Sequence, residues 1–520
     1  METQAISGFK VAPQQKRLWH LHKKNGYTFC SQSSVLIEGN LQPEILRTAI
    51  GQVVNYHDIL KTNFYCPPGV KTPVMVIEDR NSLNWEYLDL SAFSEEDIYN
   101  KVQELFSEAR QKSQNLYQES LLYLYLIKLS DTQHILIISL PTLCADTRTI
   151  KNLVNQISQA YAQCSQGKEF SKDYVQYVQF SEWQNQLLED EDASSAEEYW
   201  QQQKISSLSA LKLPLERQVK NEEFATDNYK LVISQELLDK INNFAQKYDK
   251  TPDVILLACW KILVWRLTTE SEIVIGTASE RREYEELYDA LGLLATWLPI
   301  KTKFTPNLNF LEVLTVVSQT LENAAEWQDY FVPETTEEDK FIAFPVGFEF
   351  ENIDKNNNNN TEVSFNLQEI HSFIEPFKIK LACLQSNSSF VTEFYYDINY
   401  FDKEIVQRLA QNYQTLLVNV INNPEIVISQ LEILSTSERQ QLLIEFNQTQ
   451  SDYQREKLIH QLFEEQVEKT PNQIAVVFED EELTYAQLNF KANQLAHYLG
   501  KLGVKPEVVV GICVERSPKF

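Results

Sequence analysis

The segment Pro141–Thr147 (PTLCADT) holds three side chains that could take part in chemistry. Cys144 would be a nucleophile if its thiol were ionised, which requires a cationic or helix N-terminal setting. A buried, inert thiol is the simpler interpretation of Cys144. Thr142 cannot act as a base at pH 7, so its hydroxyl can only donate and accept hydrogen bonds. Asp146 could cap a helix or pair with an arginine.

The elements on either side of this segment follow from the spacing of apolar residues. Leu121–Leu129 and His134–Leu140 are β-rich runs joined by a short polar turn, which predicts a hairpin that ends at the segment. Directly after it, Asp146 or Thr147 would be the N-cap of a helix. The apolar side chains that predict this helix at helical spacing are Ile150, Leu153, Val154, Ile157 and Tyr161.

Histidine is the side chain best suited to proton transfer near neutral pH. None of the histidines in this chain is adjacent to another, and none is close enough in sequence to the Pro141–Thr147 segment to be an obvious base. The seven are His20, His22, His57, His134, His371, His460 and His497.

The charge balance narrows the function classes. The chain has 46 basic and 73 acidic residues, a formal net charge of −27, which argues against nucleic acid and anionic membranes as main partners.

Only 12 of 520 residues are glycine, so there are few places for a phosphate-binding loop. Neither G-x-x-x-x-G-K-[ST] nor G-x-G-x-x-G occurs. We therefore expect no nucleotide chemistry within these residues.

Targeting and cysteine signals indicate a cytoplasmic protein. The start, METQAISGFK, lacks the apolar core of a signal peptide. The longest apolar stretches, near His134–Cys144 and Val254–Trp265, are too short to span a bilayer. Seven scattered cysteines without a C-x-x-C pair fit reduced thiols rather than a disulfide framework or a zinc site.

Both halves of the chain mix strands with helices, which predicts a mixed α/β fold. In Phe344–Glu351 the aromatic and apolar residues alternate with others, as in a strand, but the pattern does not say whether Glu349 or Glu351 faces inward. The acidic stretch 189–198 is either a crossover between two lobes or a solvated helix face. Lys355–Asn360 is expected to be an exposed loop. Other predicted elements are strand Leu231–Ser234, helix Leu237–Tyr248, buried helix Pro252–Leu267 and strand Glu272–Gly276.

The last part of the chain has its own pattern. Gln448–Lys457 is polar, which indicates a linker. The residues before it, Glu438–Asn447, are predicted to form the end of a helix. We expect a piece of about 60 residues, too small to be a complete domain. Its predicted elements are helix Ile459–Lys469, strand Ile474–Phe478, helix Tyr485–Leu502 and strand Val508–Val514.

Several motifs, in order over most of the chain, resemble the condensation domain of nonribosomal peptide synthetases. Ala12 stands where the opening motif of this family has serine, Tyr56 replaces an arginine, and Thr296-Trp297 stand where the family has Asn-Thr. The matching pieces are Ala12–Trp19, His57–Phe64, Tyr177–Trp183, Ile275–Thr277 with Arg282, Gly292 with Leu298-Pro299, and Gln328–Tyr330.

The resemblance implies two chloramphenicol-acetyltransferase-like lobes that form a V around a central tunnel. That tunnel would admit two phosphopantetheine arms from opposite sides. The predicted organisation is an N-terminal lobe at 1–188, a C-terminal lobe at 189–447, a linker at 448–458 and a partial adenylation domain at 459–520.

The tail is similar to the start of an adenylation (AMP-binding) domain. The matching runs are Leu483–Asn489, Ala492–Ala496, Gly503-Val504 and Glu515–Ser517. The ATP loop, the ribose-binding aspartate and the catalytic lysine of that family would lie beyond Phe520. ATP and Mg²⁺ would thus be cofactors only of a complete adenylation domain, and no carrier-protein serine motif is present.

The resemblance also implies the location of the active site. The family carries the motif H-H-x-x-x-D-G there, and this chain departs from it. Pro141 and Thr142 replace the two histidines, and Thr147 replaces the glycine. Asp146 matches the aspartate of the motif. The resemblance implies that this aspartate is structural and pairs with an arginine, for which Arg282 is the best candidate here and Arg281 the alternative. The heterocyclization variant D-x-x-x-x-D-x-x-S is disfavoured, because Pro141 occupies its first aspartate position.

Two main functions remain open. The first is an acyltransferase that joins a carrier-bound donor thioester to an acceptor amine or hydroxyl, with Thr142 or a water in the role of the missing histidine. The second is a non-catalytic scaffold that docks carrier domains or recruits a tailoring enzyme. A free-standing acyltransferase is disfavoured by the adenylation-like tail. Expected partners are carrier domains, which bring the phosphopantetheine, and other synthetase modules.

Trp19, Trp183 and Trp200 are expected in the core or at the lobe junction rather than as substrate platforms.

Overall fold

In the computed structural model, the described residues are 8–25, 29–78, 83–113, 116, 121–203, 211–219, 224–332, 344–352, 362–386, 389–451 and 456–514. They belong to two compact units, Met1–Thr436 and Ser437–Phe520. The predicted loop Lys355–Asn360 and the run Glu515–Ser517 lie outside the described residues.

The first part of the large unit alternates strands and helices, as its sequence predicts. Its elements are β1 (Phe9–Lys10), α1 (Pro13–Asn25), β2 (Cys30–Gly39), α2 (Pro43–Tyr56), β3 (Thr62–Tyr65), β4 (Val74–Ile77), β5 (Asn84–Asp89), α3 (Glu95–Ser113), β6 (Tyr123–Lys128), β7 (Gln133–Pro141), α4 (Thr147–Ser165), α5 (Tyr177–Leu187) and α6 (Ala193–Gln202).

The second part of the large unit also mixes the two kinds of element. It consists of β8 (Thr226–Val232), α7 (Gln235–Lys247), α8 (Pro252–Thr268), β9 (Glu272–Ser279), β10 (Thr296–Lys303), α9 (Phe310–Glu326), β11 (Val346–Asn352), β12 (Val363–His371), β13 (Ile379–Ser386), β14 (Ser389–Asp397) and α10 (Lys403–Asn422).

The N-terminal lobe is built on a mixed sheet with the order β12-β2-β7-β6-β5. The predicted hairpin is confirmed, since β6 and β7 pair antiparallel. Residues of α3, among them Phe106, pack on one face of the sheet against Tyr125. Residues of α2 and α4, such as Ile50 and Ile157, bury the other face. Because both faces are covered, β6 and β7 read as nearly continuous apolar runs.

One strand of this sheet comes from the second part of the chain. β12 pairs antiparallel with β2, with Phe365 opposite Ile37, and places the residues that follow His371 between the two lobes. We call residues 8–187 together with β12 the N-terminal lobe, and α6 together with the rest of residues 211–436 the C-terminal lobe. The 188/189 boundary itself stays a prediction.

The C-terminal lobe has a sheet with the order β10-β9-β11-β13-β14-β8. The predicted buried helix is confirmed as α8, whose residues Val254–Trp265 are all buried. A helix that is apolar on every side must be covered on every side. Lys261 is the one charged side chain in this run of α8, and its ammonium group donates to the carbonyl of Ile300. Burial lowers the pKa of Lys261 to about 7.

One detail of the secondary structure corrects a sequence-based expectation, and another adds to one. The strand expected at Leu231–Ser234 is β8, which lies earlier, and Ser234 instead caps α7 by accepting from the Leu237 amide. The acidic stretch that begins at Glu189 leads into α6, which starts at Ala193. The mixed α/β fold class is confirmed.

In its described residues the small unit contains α-helices, a π-helical turn and one hairpin. Its elements are α11 (Thr436–Gln440), a π-helical turn (Gln441–Glu445), α12 (Ile459–Lys469), β15 (Ile474–Phe478), β16 (Glu481–Thr484) and α13 (Tyr485–Lys501). The strand expected at Val508–Val514 is wrong. Val509 and Ile512 are 95% and 74% exposed, and no described strand pairs with this run. An apolar run without a pairing partner cannot form a ladder.

Within the described residues, no helix combines the length and the apolar character needed to cross a membrane.

Candidate functional site

Asp146 lies between β7 and α4 and is the centre of a buried hydrogen-bond cluster. Its carboxylate accepts from the Thr149 amide at 2.8 Å, which makes Asp146 the N-cap of α4. Two guanidinium nitrogens of Arg282 each donate to it at 3.0 Å. The amides of Leu294 and Ala295 also donate to it, both at 2.9 Å. The cap and the arginine bridge, which the sequence left as compatible interpretations, are both present.

These bonds decide what Asp146 can do. Burial alone would raise its pKa, but the charge of Arg282 and the hydrogen bonds from Arg282, Ala295 and Thr149 hold the pKa below its usual value. A carboxylate offers about four acceptor sites, and all of them are used here. Asp146 therefore stays ionised and joins the lobes, and it has no free acceptor site for a substrate proton.

The loop opposite Asp146 depends on a glycine. The Thr149 hydroxyl donates to the carbonyl of Gly292 at 2.5 Å and accepts from Arg282 at 2.9 Å. Gly292 has φ +143°, and a Cβ there would lie 1.9 Å from Cδ2 of Tyr177. Only glycine adopts this backbone conformation without strain and leaves room for the ring. The Tyr177 hydroxyl donates to the carbonyl of Leu293 at 2.8 Å.

Arg281, the alternative partner of Asp146, makes other contacts. Its guanidinium donates to the carbonyls of Gln328 and Phe331, the latter at 2.9 Å. It also donates to the side chain of Gln14 at 3.4 Å. Arg281 therefore connects two of the sequence motifs, and Arg282 is the residue that pairs with Asp146.

A narrow cavity of about 30 Å³ opens next to Asp146 between the two lobes. Ala278 and Ser279, at the end of β9, line this cavity and also a larger one of about 530 Å³ in the C-terminal lobe. No histidine is among the residues that the structure shows lining either cavity. The smaller cavity is lined by Asp146, Thr147, Arg148, Ala278, Ser279, Glu280, Ala295, Trp297, Glu349, Phe350, Glu351, Ser372, Ile374 and Lys380.

Thr142 does not line this cavity. Its side chain is fully buried, and its hydroxyl oxygen lies 3.3 Å from the Ser31 hydroxyl. Ser31 donates to the carbonyl of Ala145 at 2.5 Å and lies 2.7 Å from the hydroxyl of Ser372. Ser372 does line the cavity. A chain of hydroxyl groups thus connects the position of the second motif histidine to the space between the lobes.

Sequence reasoning missed Ser31 and Ser372. Ser31 lies on β2 and Ser372 directly follows β12, so they are 341 positions apart in the chain. No motif contains either of them. The only signal was the run of polar residues Ser31–Ser34 directly before the apolar residues Val35–Ile37, and this run does not specify a partner.

Cys144 is a buried structural residue. Its side chain is fully buried, and burial raises the pKa of its thiol to about 12. A thiolate is the reactive form of cysteine. The nucleophile alternative therefore has no support in the structure.

Glu349 and Glu351 lie on the same face of β11 and both line the cavity. Glu349 accepts from Lys380 at 2.6 Å and from the Thr147 hydroxyl at 3.4 Å. Glu351 pairs with Lys151 of the N-terminal lobe. Burial raises the pKa of Glu351 to about 7, and the Lys151 ammonium offsets only part of this rise. Both carboxylates thus face inward, which the sequence left open.

The tryptophans agree with their expected places. Trp19 and Trp200 are buried in the cores of the two lobes. The Trp200 indole donates to the carbonyl of Trp327 at 3.0 Å. Trp183 is half-buried and packs edge-on against Tyr284, with ring centroids 5.8 Å apart. None of the three lines the cavities described above.

Family models match almost the whole chain. The model described as "Condensation domain" matches residues 8–443, and the model described as "AMP-binding enzyme" matches residues 463–520. Gramicidin S synthase 2 of Brevibacillus brevis is 29% identical over 98% of this chain, and tyrocidine synthase 2 of Brevibacillus parabrevis is 28% identical over 98%. The chain spans only 11% and 14% of the length of these two relatives.

Solved structures share the fold at low identity. The first condensation domain of the CDA synthetase has a TM-score of 0.69 at 13% identity, covering 82% of this chain and 99% of that one. The X-domain in its complex with OxyB from teicoplanin biosynthesis has a TM-score of 0.67 at 18% identity, covering 83% of this chain and 97% of that one.

Proposed function

Because this chain belongs to the condensation-domain family of nonribosomal peptide synthetases, we propose that it joins a carrier-bound acyl or aminoacyl thioester to an acceptor amine or hydroxyl. The observation that carries the proposal is the cavity between the lobes, which opens directly beside the Asp146–Arg282 pair. The donor and the acceptor would each arrive on the phosphopantetheine arm of a carrier domain. Those carrier domains, and the neighbouring synthetase modules, are the proposed partners.

The reaction needs little acid–base chemistry if the two substrates are held together. The acceptor nitrogen forms a bond to the thioester carbonyl carbon, and the carbon–sulfur bond breaks. The proton that leaves the nitrogen ends on the sulfur of the departing arm, which leaves as a thiol. Holding two reactants in the productive geometry can by itself lower the barrier by roughly 7–11 kcal/mol. Approximation in the cavity is thus the main contribution in this proposal.

Within this proposal Thr142 acts by hydrogen bonding only. Its hydroxyl is buried behind Ser31, and hydroxyl groups do not ionise near neutral pH. Asp146 holds the loop through Arg282 and does not exchange protons with the substrates. The proposed organisation keeps the lobes at 1–188 and 189–447, the linker at 448–458 and the partial adenylation domain at 459–520. ATP and Mg²⁺ would serve only a complete adenylation domain.

A second candidate is a scaffold that has lost bond formation. The burial of Thr142 favours it, because the position of the second motif histidine has no access to the cavity. The similar X-domain is described in a complex with OxyB, which makes recruitment of a partner enzyme the corresponding function here. In this case the cavity would hold a carrier-bound chain without changing it.

The two candidates differ in product formation. We expect the full chain to form product when it is mixed with a panel of loaded donor carriers and loaded acceptor carriers, with mass spectrometry as the readout. Thr142→Val should lower the rate no more than about threefold, since the hydroxyl acts through Ser31. Thr302→Val is the matched control, because the buried Thr302 hydroxyl has no hydrogen-bond partner among the described residues. Carrier binding without product across the panel would replace this proposal by the scaffold.

A further inference from the structure

The hydroxyl chain Thr142–Ser31–Ser372 has a defined direction. A hydroxyl carries one proton, and a carbonyl oxygen can only accept. The Ser31 proton goes to the carbonyl of Ala145 at 2.5 Å. In the 2.7 Å contact between Ser31 and Ser372, the proton must therefore come from Ser372. Thr142, at 3.3 Å, can likewise only donate to Ser31.

This direction leaves Ser372 as an acceptor toward the cavity. Its single proton is used on Ser31, so the lone pairs of its oxygen are its remaining hydrogen-bonding capacity. Ser372 is 7% exposed and is one of the cavity-lining residues. The end of β12 holds its position, since His371 pairs with Gln32 of β2 in the sheet. Ser372 is thus a rigidly placed acceptor between the lobes.

An attacking nucleophile needs an acceptor of this kind. A neutral amine or a hydroxyl group donates an N–H or O–H hydrogen bond, and its lone pair must point toward the thioester carbon. An acceptor that binds the hydrogen orients that lone pair. The carboxylate of Asp146 cannot serve, because its acceptor sites are filled by Arg282 and by backbone amides. The two other carboxylates of the cavity are already engaged by cations, Glu349 by Lys380 and Glu351 by Lys151.

We propose that the Ser372 hydroxyl binds the N–H or O–H of the acceptor substrate, and that Ser31 and Thr142 fix its orientation from behind. This inference rests on the proposed function and assigns the nucleophile its contact residue. Ser372 does not remove the proton. The hydroxyl chain ends on the Ala145 carbonyl, which cannot take up a proton, so the proton leaves with the departing sulfur as described above. Ser31 and Thr142 are positioning residues, because they act through Ser372.

The first test does not depend on turnover. The full-length Ser372→Cys variant is incubated at pH 8 with a pantetheine that carries a chloroacetamide in place of the acceptor amine, and labelled peptides are mapped by mass spectrometry. We expect alkylation at position 372 that is at least about tenfold faster with the pantetheine probe than with chloroacetamide alone. Ser139→Cys is the matched control, because Ser139 is also buried and hydrogen-bonded, to Ser113 at 2.7 Å, but does not line the cavity.

The second test is kinetic. Ser372→Ala should lower kcat for amide formation about tenfold with little change in KM for the acceptor, the effect of losing one hydrogen bond in the transition state. Ser139→Ala should leave both constants unchanged. Equal labelling of position 372 by both reagents, or an unchanged kcat in Ser372→Ala, would overturn the inference. If wild type forms no product while position 372 is labelled selectively, the proposed catalysis fails and the assignment of Ser372 to the acceptor arm stands.

Discussion

The carboxylate of Asp146 and the guanidinium of Arg282 form two parallel hydrogen bonds of 3.0 Å each across 136 positions of sequence. Asp146 begins the N-terminal lobe helix α4, and Arg282 follows β9 of the C-terminal lobe. Both side chains are at most 2% exposed. The pair therefore connects the two lobes at the edge of the cavity.

Removing the charge of Asp146 should destabilise the large unit strongly. We expect Asp146→Asn to lower the free energy of unfolding by about 3–5 kcal/mol, because it leaves the Arg282 charge buried without a counter-charge. Urea unfolding followed by tryptophan fluorescence measures the change. Asp289→Asn is the control, since Asp289 pairs with Lys172 on the surface and both side chains are nearly half exposed. That change should cost less than about 1 kcal/mol. Equal effects of the two variants would contradict the role given to Asp146.

Gly292→Ala should disrupt the loop that binds Asp146. The new methyl group would overlap the ring of Tyr177, and the positive φ adds backbone strain. Gly167→Ala is the matched control, because Gly167 also has a positive φ, but a Cβ there meets no atom of the described part of the chain within 4 Å. The control should cost about 1–2 kcal/mol from the backbone alone. We expect a clearly larger loss at Gly292, measured by urea unfolding, and similar losses at both positions would show that the Tyr177 contact is unimportant.

His57 makes the stability of the large unit depend on pH. Burial lowers its pKa to about 4, although the hydrogen bond with Gln156 at 2.5 Å offsets part of the shift. In the unfolded chain the pKa is about 6.5. The unfolded state therefore binds a proton first as the pH falls, and the stability present above pH 6.5 is lost between pH 6.5 and 4. The loss should reach about 3 kcal/mol.

His57→Gln removes this titration and tests the pH dependence. The difference in unfolding free energy between wild type and His57→Gln should favour wild type more at pH 7.5 than at pH 4.5. A difference that is constant over this range would mean that His57 has an ordinary pKa in the folded protein.

The thiol of Cys144 should be inert in the folded protein. It is fully buried with a pKa raised to about 12, whereas Cys513 is exposed. Iodoacetamide at pH 8 should label Cys513 within minutes and Cys144 only after unfolding, as read by peptide mapping. Labelling of both at the same rate in the folded state would revive the nucleophile interpretation of Cys144.

Local patterns predicted what depends on neighbours in sequence. The β6–β7 hairpin and α4 follow from apolar spacing, and the cap at Asp146 follows from its place before the first helical turn. The resemblance to a known family indicated Arg282 as the partner of Asp146. Spacing alone could not distinguish it from Arg281, since the backbone at Arg281 turns through a positive φ and directs the two side chains apart.

The sequence did not indicate which strands pair when they are far apart in the chain. Alternation in Val363–His371 is compatible with a strand, but nothing in it says that β12 joins β2 in the other lobe. Ser372 reaches the cavity only because of that crossover, and Ser31 and Ser372 belong to no motif. The strand predicted at Val508–Val514 is wrong for a related reason. An apolar run forms a strand only next to a pairing partner, and the local sequence does not show whether such a partner is present.

The central claim is that the cavity joins two tethered substrates mainly by holding them together. The most direct measurement is the single-turnover rate of product formation by the full chain, with both substrates on carriers and then with the same two substrates free at equal concentration. We predict that tethering raises the rate by at least about a thousandfold, and that Thr142→Val keeps most of this gain. Carriers that bind while the tethered substrates react no faster than the free ones would contradict the claim.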